Sequence, residues 1–255
     1  MSDILSLEGR DVLVTGAAGA IGAAICTLMR DKGANVIGAD RVAADGIREL
    51  DVTEEQSWDA LAADIFEETG KLNVLVNCAG VAPMGRIDDL DIGEWRRAMA
   101  VNVEGVALGL KVCLPLLKAA SQSSSPNGAS IINIASAASR RPAAMSAAYC
   151  ASKAAVAMLT KVAASEFAML GYNVRVNSVH PGVVASPMMD DILAKYADTS
   201  GQSVDDLKAG ILQSYLVKRF ATPEEVAAAT LYLAGDAATY LNGAEQLVDG
   251  GYLTT

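Results

Sequence analysis

Short apolar runs alternate with longer segments of helical period along the whole chain. Asp11-Val12-Leu13-Val14-Thr15 is unbroken by polar side chains until Thr15 and stops at glycine, as a strand buried on both faces does. Similar runs recur at Ala34–Ala39, Arg48–Val52, Leu72–Val76, Ala129–Ala135, Asn173–Val179 and Gln246–Val248. Between them, helices are expected from the glycine-rich turn after Thr15 to about Lys32, over Glu54–Glu68 with Thr53 as N-cap, and from Asp91 to about Lys118. Others are expected from about Ala148 to Leu170 and from Thr222-Pro223-Glu224-Glu225 to about Gly235, where proline suits a first helical turn. Too few residues separate Asp40 from Arg48 for a full crossover helix, so that connection should hold one helical turn or none. Ser121–Gly128 is polar and turn-forming, a loop within one domain. Strand–helix alternation of this kind predicts an α/β, doubly wound parallel sheet of about seven strands with helices on both faces.

One stretch departs from the pattern. From Val183 to Arg219, Met188, Met189, Ile192, Leu193, Tyr196, Leu207, Ile211, Leu212 and Tyr215 fall at helix-like spacing in two short segments around Ser200-Gly201. Two readings are open: ordinary packing of two helices, or a lid over an apolar substrate, at about 183–219.

Composition narrows the classes. At 255 residues, 52% hydrophobic and 20% charged, the chain is long and apolar enough for a real core. Its net charge of −10 argues against nucleic acid or an anionic membrane as partner. The first residues lack the basic end and apolar run of a signal peptide, and no uncharged apolar run reaches about 18 residues. Cys26, Cys78, Cys113 and Cys150 are scattered without a Cys-x-x-Cys pair, and there is a single His. No metal site is expected, and reduced thiols suit a cytoplasmic protein.

Candidate chemistry sits at the strand ends. Gly16-Ala17-Ala18-Gly19-Ala20-Ile21-Gly22 lies between a strand and a helix, where free backbone N–H groups meet an anion. Asp40 closes the next strand 18 positions after Gly22, near the spacing of an acid that binds an adenosine ribose. A carboxylate there accepts from the ribose hydroxyls and repels a 2′-phosphate, which favours NAD. Arg41 beside it would instead attract that phosphate. Asp51-Val52 ends another strand, where a carboxylate can meet the adenine amino group. Tyr149 and Lys153 are one helical turn apart, so their side chains share a face. An ammonium there would lower the phenol pKa toward working pH. Asn102 is either a tolerated polar residue or one with a local task, since Asn is a poor helix-interior residue. His180, alone and next to Pro181, reads as structural.

Together these residues resemble the short-chain dehydrogenase/reductase family over essentially the whole chain. Thr15-Gly16-Ala17-Ala18-Gly19-Ala20-Ile21-Gly22 is similar to its Thr-Gly-x-x-x-Gly-x-Gly turn, with the middle glycine one place early. Asn77-Cys78-Ala79-Gly80 is similar to its Asn-Asn-Ala-Gly motif, with Cys for the second Asn. Ser136, Tyr149 and Lys153 match its catalytic Ser and Tyr-x-x-x-Lys, and Asn102 its fourth catalytic residue. The resemblance implies a single Rossmann-like domain that binds NAD through Gly16, Gly19, Ile21, Gly22, Asp40, Arg41, Asp51, Val52, Asn77, Ala79, Gly80, Tyr149, Lys153, Pro181, Gly182, Val184 and Ser186. It also implies that Tyr149 exchanges the proton, Lys153 lowers its pKa and holds the nicotinamide ribose, Ser136 holds the substrate oxygen, and Asn102 fixes a water linking Lys153 to solvent.

His180-Pro181-Gly182 through Met188-Met189 resembles bacterial hydroxysteroid dehydrogenases of this family, so the expected substrate is an apolar, cyclic secondary alcohol or its ketone. Alternatives are a 3-oxoacyl-thioester reductase using NADPH and, from another class, a non-catalytic cofactor-sensing protein. A sugar-nucleotide epimerase is disfavoured by the short C-terminal region. The small-residue faces of helices 91–118 and 148–170 and the habit of the family both suggest a homo-oligomer, a tetramer before a dimer.

Overall fold

A computed structural model of the chain describes residues 3–123 and 128–254. Seven strands form one parallel sheet: β1 (Asp11–Thr15), β2 (Asn35–Asp40), β3 (Ile47–Glu49), β4 (Val74–Asn77), β5 (Ala129–Ile134), β6 (Val174–Pro181) and β7 (Glu245–Val248). Their spatial order is β3-β2-β1-β4-β5-β6-β7, so the chain winds outward from β1 to one edge and then from β4 to the other. Thr15 pairs with Ala39, Asn77 with Asn133, and Ile134 with Val179, which brings the carboxyl ends of the central strands level. The reversal between β1 and β4 opens a crevice at those ends, where ligands bind in open α/β sheets.

Alternate side chains of a strand face opposite ways, and here each way is a core. Val12 and Val14 of β1 join one cluster, built with Ile25 and Met29 of α1 (Ala20–Asp31) and Val226 and Leu231 of α8 (Pro223–Ala234). Leu13 joins the other, with Trp58 of α2 (Glu55–Thr69), Leu117 of α4 (Gly105–Ser123) and Phe167 of α5 (Ala147–Met169). Burial on both faces is why the strands read as continuous apolar runs. Gly109 lets α4 sit close: a Cβ there would lie 2.9 Å from the Trp58 ring and 2.6 Å from Asn77 Oδ1.

Several boundaries differ from expectation. Thr53 is not the N-cap of α2; Glu54 is, without a capping side chain. Thr53 instead donates both its N–H and its hydroxyl to Asp51 Oδ1, at 2.9 and 2.7 Å, a local turn that outcompetes the cap. β3 stops at Glu49 rather than Val52, and the short β2–β3 connection holds no helix. α4 runs on to Ser123, so Ser121–Ser123 are helical; the rest of the expected loop up to residue 127 lies outside the described residues. The expected 91–118 helix is interrupted. α3 (Ile92–Met99) passes into a π-helical turn, Ala100–Glu104, before α4 begins. The span Ile92–Gln122 is apolar and long enough to cross a membrane by composition. Yet it carries Glu104 and Lys111, and its apolar side, Leu110 and Leu117 included, packs on the sheet.

Val183–Arg219 contains α6 (Pro187–Ser200) and α7 (Val204–Gln213). Its two ends are tied together: Ala185 N–H donates to the Ala221 carbonyl and Ala221 N–H to the Val183 carbonyl, both at 2.9 Å.

Candidate active site

A cleft of about 1120 Å³ runs over the carboxyl ends of the strands. Its first end is shaped by glycines. Gly16 has a φ of +68°, and a Cβ there would lie 2.8 Å from the Ala79 backbone. A Cβ on Gly22 would run into the Gly16 carbonyl. The Thr15 hydroxyl accepts the Cys78 and Ala79 N–H groups at 3.0 and 3.1 Å, fixing the end of β1 to the end of β4. α1 starts at Ala20 with Gly19 as N-cap and no side-chain cap, so its first N–H groups face the cleft with the positive end of the helix dipole. Ala20 replaces the family glycine without strain because its φ is negative. This glycine cradle and uncapped helix end fit the pyrophosphate of a dinucleotide.

Asp40 lies beside this turn. Its Oδ2 accepts the Ala18 N–H at 3.0 Å and its Oδ1 the Arg41 N–H at 2.7 Å. Asp51 and Val52 line the same end, and the Thr53 hydroxyl and N–H hold the Asp51 carboxyl below its ordinary value. Ile21, Ala79, Gly80, Pro181, Gly182, Val184 and Ser186 also line the cleft. Ser186 caps α6 by accepting the Met189 N–H at 3.3 Å, with Pro187 at the first helical position. Asn77 does not reach the cleft. It is buried in the sheet, donating to Asn133 Oδ1 at 2.8 Å, and so supports strands rather than a ligand.

Three candidate reacting groups meet at the middle. Ser136 follows β5 directly, its Oγ accepting the Ala138 N–H at 3.1 Å. Tyr149 and Lys153 project from the first turns of α5 into the same space. Burial raises the Tyr149 phenol above its ordinary value, opposed by a hydrogen bond with Ser136. The expected lowering by Lys153 is therefore not what governs this phenol in the ligand-free protein. Lys153 Nζ lies 5.8 Å from the Tyr149 ring centre and donates instead to the Ile134 carbonyl at 2.8 Å. Burial lowers Lys153 itself to about 8. Cys78, in place of the family Asn, is pushed up to about 12 by burial and remains a thiol.

Asn102 sits in the π-helical turn, fully buried behind Gly80 and away from the cleft wall. Its side chain closes a three-way clamp: Oδ1 accepts the Val81 N–H at 2.8 Å, while Nδ2 donates to the Val81 carbonyl and to Ser152 Oγ, both at 2.9 Å. The extra residue of the π turn turns this amide toward the strand β4 exit. His180 is structural, as read from sequence. Its Nδ1 lies 2.9 Å from Ser139 Oγ and 3.1 Å from the Ser136 carbonyl, and its Nε2 lies 2.8 Å from Ser178 Oγ, so both ring nitrogens are engaged within the fold. Burial lowers its pKa, keeping it neutral behind Ser136.

Beyond Ser136 the cleft is walled by Met188, Met189, Ile192, Leu193, Leu207 and Ile211 of α6 and α7. Tyr215, named with the 183–219 stretch, lines it too, and so do Arg141 and Tyr252, which escaped the sequence reading. The Asp249-Gly250-Gly251 turn was the available signal for Tyr252, but nothing in the spacing ties it to residues so far upstream. Met145, on the approach to α5, is the one non-glycine among the described residues with positive φ, at 63°. Its carbonyl accepts the Gly85 N–H at 2.8 Å, bracing the loop that delivers Tyr149.

Residues 16–253 match a family model described as enoyl-(acyl carrier protein) reductase. A trans-4-hydroxycyclohexanecarboxylate dehydrogenase of Sinomonas cyclohexanicum is 37% identical over 260 residues, 94% of this chain and 91% of the relative. A cyclopentanol dehydrogenase of Comamonas sp. is also 37% identical, over 94% of this chain and 96% of its own. Among solved structures, a putative NAD(P)-dependent gluconate 5-dehydrogenase from Beutenbergia cavernae with bound NADP superposes with a TM-score of 0.86 at 29% identity, covering 99% of this chain and 100% of that one. With its glycine turn, its Ser136–Tyr149–Lys153 cluster and these relatives, the chain belongs to the short-chain dehydrogenase/reductase family of oxidoreductases.

Proposed function

We propose that the chain interconverts an apolar, cyclic secondary alcohol and its ketone, with NAD(H) as the cofactor. The observation that carries this reading is the convergence of Ser136, Tyr149 and Lys153 between an acidic dinucleotide end and an apolar wall of one cleft. A bound nicotinamide would supply the hydride chemistry. The chain supplies the rest. Ser136 Oγ holds the substrate oxygen. Tyr149 gives that oxygen a proton in reduction and takes it back in oxidation. Burial keeps the Tyr149 phenol protonated at neutral pH, ready to act as the acid. Lys153 holds the nicotinamide ribose and favours the phenolate when the proton must leave. Asn102 supports Lys153 through water.

Gly16, Gly19 and Gly22 would cradle the pyrophosphate, Asp40 the adenosine ribose, and Pro181, Gly182, Val184 and Ser186 the nicotinamide side. NAD is favoured because Asp40, already bonded to the glycine turn, would face a 2′-phosphate with like charge. The cyclic alcohols named for two relatives agree with the Met- and Leu-lined wall, which we assign as a substrate lid at about 183–219. Free thiols at Cys26, Cys78, Cys113 and Cys150 support a reducing, cytoplasmic setting.

Arg41 favours a second reading, NADPH-linked reduction of a 3-oxoacyl thioester, since it lines the ribose end beside Asp40. Initial rates with NAD and NADP against alicyclic, steroid, polyol and acyl-thioester substrates separate the two. Strong NAD-linked oxidation of a cyclic alcohol is expected; an NADPH-linked thioester reductase, or activity confined to short polyols, would overturn the proposal. In Asp40→Ala the NAD-over-NADP preference should fall at least roughly tenfold, the size expected of one charge-assisted contact.

The protein is further expected to form a homo-oligomer, a tetramer before a dimer. Met158, Val162 and Met169 on the outer face of α5 are 59%, 50% and 79% exposed, an apolar stripe suited to a second copy. Light scattering at micromolar concentration checks this, and a monomer mass would refute it.

A further inference from the structure

Four separate segments meet around one aromatic ring. The Arg141 guanidinium carbon lies 4.4 Å from the centre of the Tyr252 ring, and Arg141 Nη1 donates to the Tyr252 carbonyl at 2.6 Å. The other face of Tyr252 stacks on Tyr215, with centroids 4.8 Å apart and planes 18° from parallel. The Tyr215 hydroxyl in turn accepts the Val183 N–H at 3.1 Å. Arg141 belongs to the stretch between Ser136 and Tyr149. Val183 and Tyr215 are the two roots of the 183–219 excursion. Tyr252 belongs to the C-terminal turn.

The packing leaves no slack. A Cβ on Gly182 would sit 2.8 Å from the Tyr215 ring, and one on Gly251 would sit 2.7 Å from Leu216. Leu216 and Val217 both donate their N–H groups to the Gly250 carbonyl, at 2.9 and 3.0 Å. Asp249 stiffens the turn that presents Tyr252, accepting the Gly251 and Leu253 N–H groups at 3.1 and 2.9 Å.

We propose that Tyr252 is a positioning residue for substrate: wedged between Arg141 and Tyr215, it sets the distance between the roots of the lid and the stretch carrying Ser136 and Tyr149. The C-terminal turn thereby builds one wall of the substrate end, and the dinucleotide end around Asp40 is independent of it. This rests on the reading of 183–219 as the substrate lid. A ring is required at this place, for stacking and for the cation above it.

Two measurements on Tyr252→Leu and Tyr252→Phe test this. In Tyr252→Leu, KM for cyclopentanol should rise about tenfold, the combined scale of a lost stacking and a lost cation–ring contact. The NADH dissociation constant, followed by fluorescence, should change less than KM does, since the glycine turn and Asp40 that hold most of the dinucleotide lie outside the contact. Tyr252→Phe, which keeps the ring, should raise KM clearly less than Tyr252→Leu does. Independently of any substrate, amide hydrogen exchange at Val183, Leu216 and Val217 should speed up about tenfold in Tyr252→Leu and clearly less in Tyr252→Phe. Arg141→Gln, which removes the cation and keeps the fold of the turn, should move the same amides in the same direction. Unchanged exchange at all three amides in Tyr252→Leu, or a Phe variant as impaired as the Leu one, would overturn the proposal. If the wild type oxidises no cyclic alcohol, the functional reading fails and the exchange result still decides the role of Tyr252.

Discussion

Tyr149→Phe is expected to lower turnover at least ~10²-fold in both directions while leaving NADH binding within a factor of about two. The substitution removes one hydroxyl from a buried ring that also touches Ser136, so the shape of the site survives and its proton donor does not. The pH profile carries a second signature. Burial raises the phenol above its ordinary value, so the phenol form dominates at neutral pH and the phenolate grows only as pH rises. Wild-type oxidation should therefore speed up through the alkaline range, whereas reduction, which uses the phenol, should not. The residual rate of Tyr149→Phe should lose that alkaline rise. Initial-rate profiles of both proteins measure this directly. A Phe variant with near wild-type turnover would remove Tyr149 from the chemistry.

Lys153→Met is expected to abolish most activity, on the order of 10²-fold or more, and at the same time to stabilise the fold at neutral pH. The two effects have one origin: a charge held in a buried place for its chemistry. Burial brings Lys153 from an ordinary 10.5 down to about 8. Between those values the unfolded chain binds the proton and the folded chain does not, so stability rises with pH across that window. Below about 8 the ammonium is present in both states and the folded protein carries the full cost of burying it. Methionine fills a similar volume without that cost. The stability advantage of Lys153→Met should thus be largest below pH 8 and shrink toward pH 10.5. Paired urea titrations of the two proteins at pH 7 and at the upper limit read the difference. An advantage independent of pH would mean that Lys153 keeps its ordinary pKa in the folded protein.

The parallel strands could be read from sequence because both faces of the sheet are buried, which forces runs such as Val12-Leu13-Val14 to be apolar throughout. Ser136, Tyr149 and Lys153 could be read because their chemistry depends on a strand end and one helical turn, both local. Three things were hidden for physical reasons. The failure of Thr53 as a cap depends on Asp51 capturing its hydroxyl first, a contest of two local bonds that composition does not rank. The burial of Asn77 away from the cleft follows from its pairing with Asn133, 56 positions later. Arg141 and Tyr252 stand 111 positions apart, and only the closed fold brings them together.

The π-helical turn at Ala100–Glu104 has a consequence for the length of the chain itself. A π turn holds one residue more than an α turn, so α3 and α4 follow two different angular phases. Deleting any single residue from that turn would let the whole span relax into an unbroken α-helix, with better backbone bonding. The wider turn absorbs the extra residue, so α3 and α4 would keep their faces; only closing the turn without a deletion would rotate one side by about 100° relative to the other. After such a deletion Leu110, Cys113 and Leu117 would stay in the core, while the widened turn that aims Asn102 at Val81 would be lost. The extra residue of this turn therefore serves the clamp on Val81 and not the core.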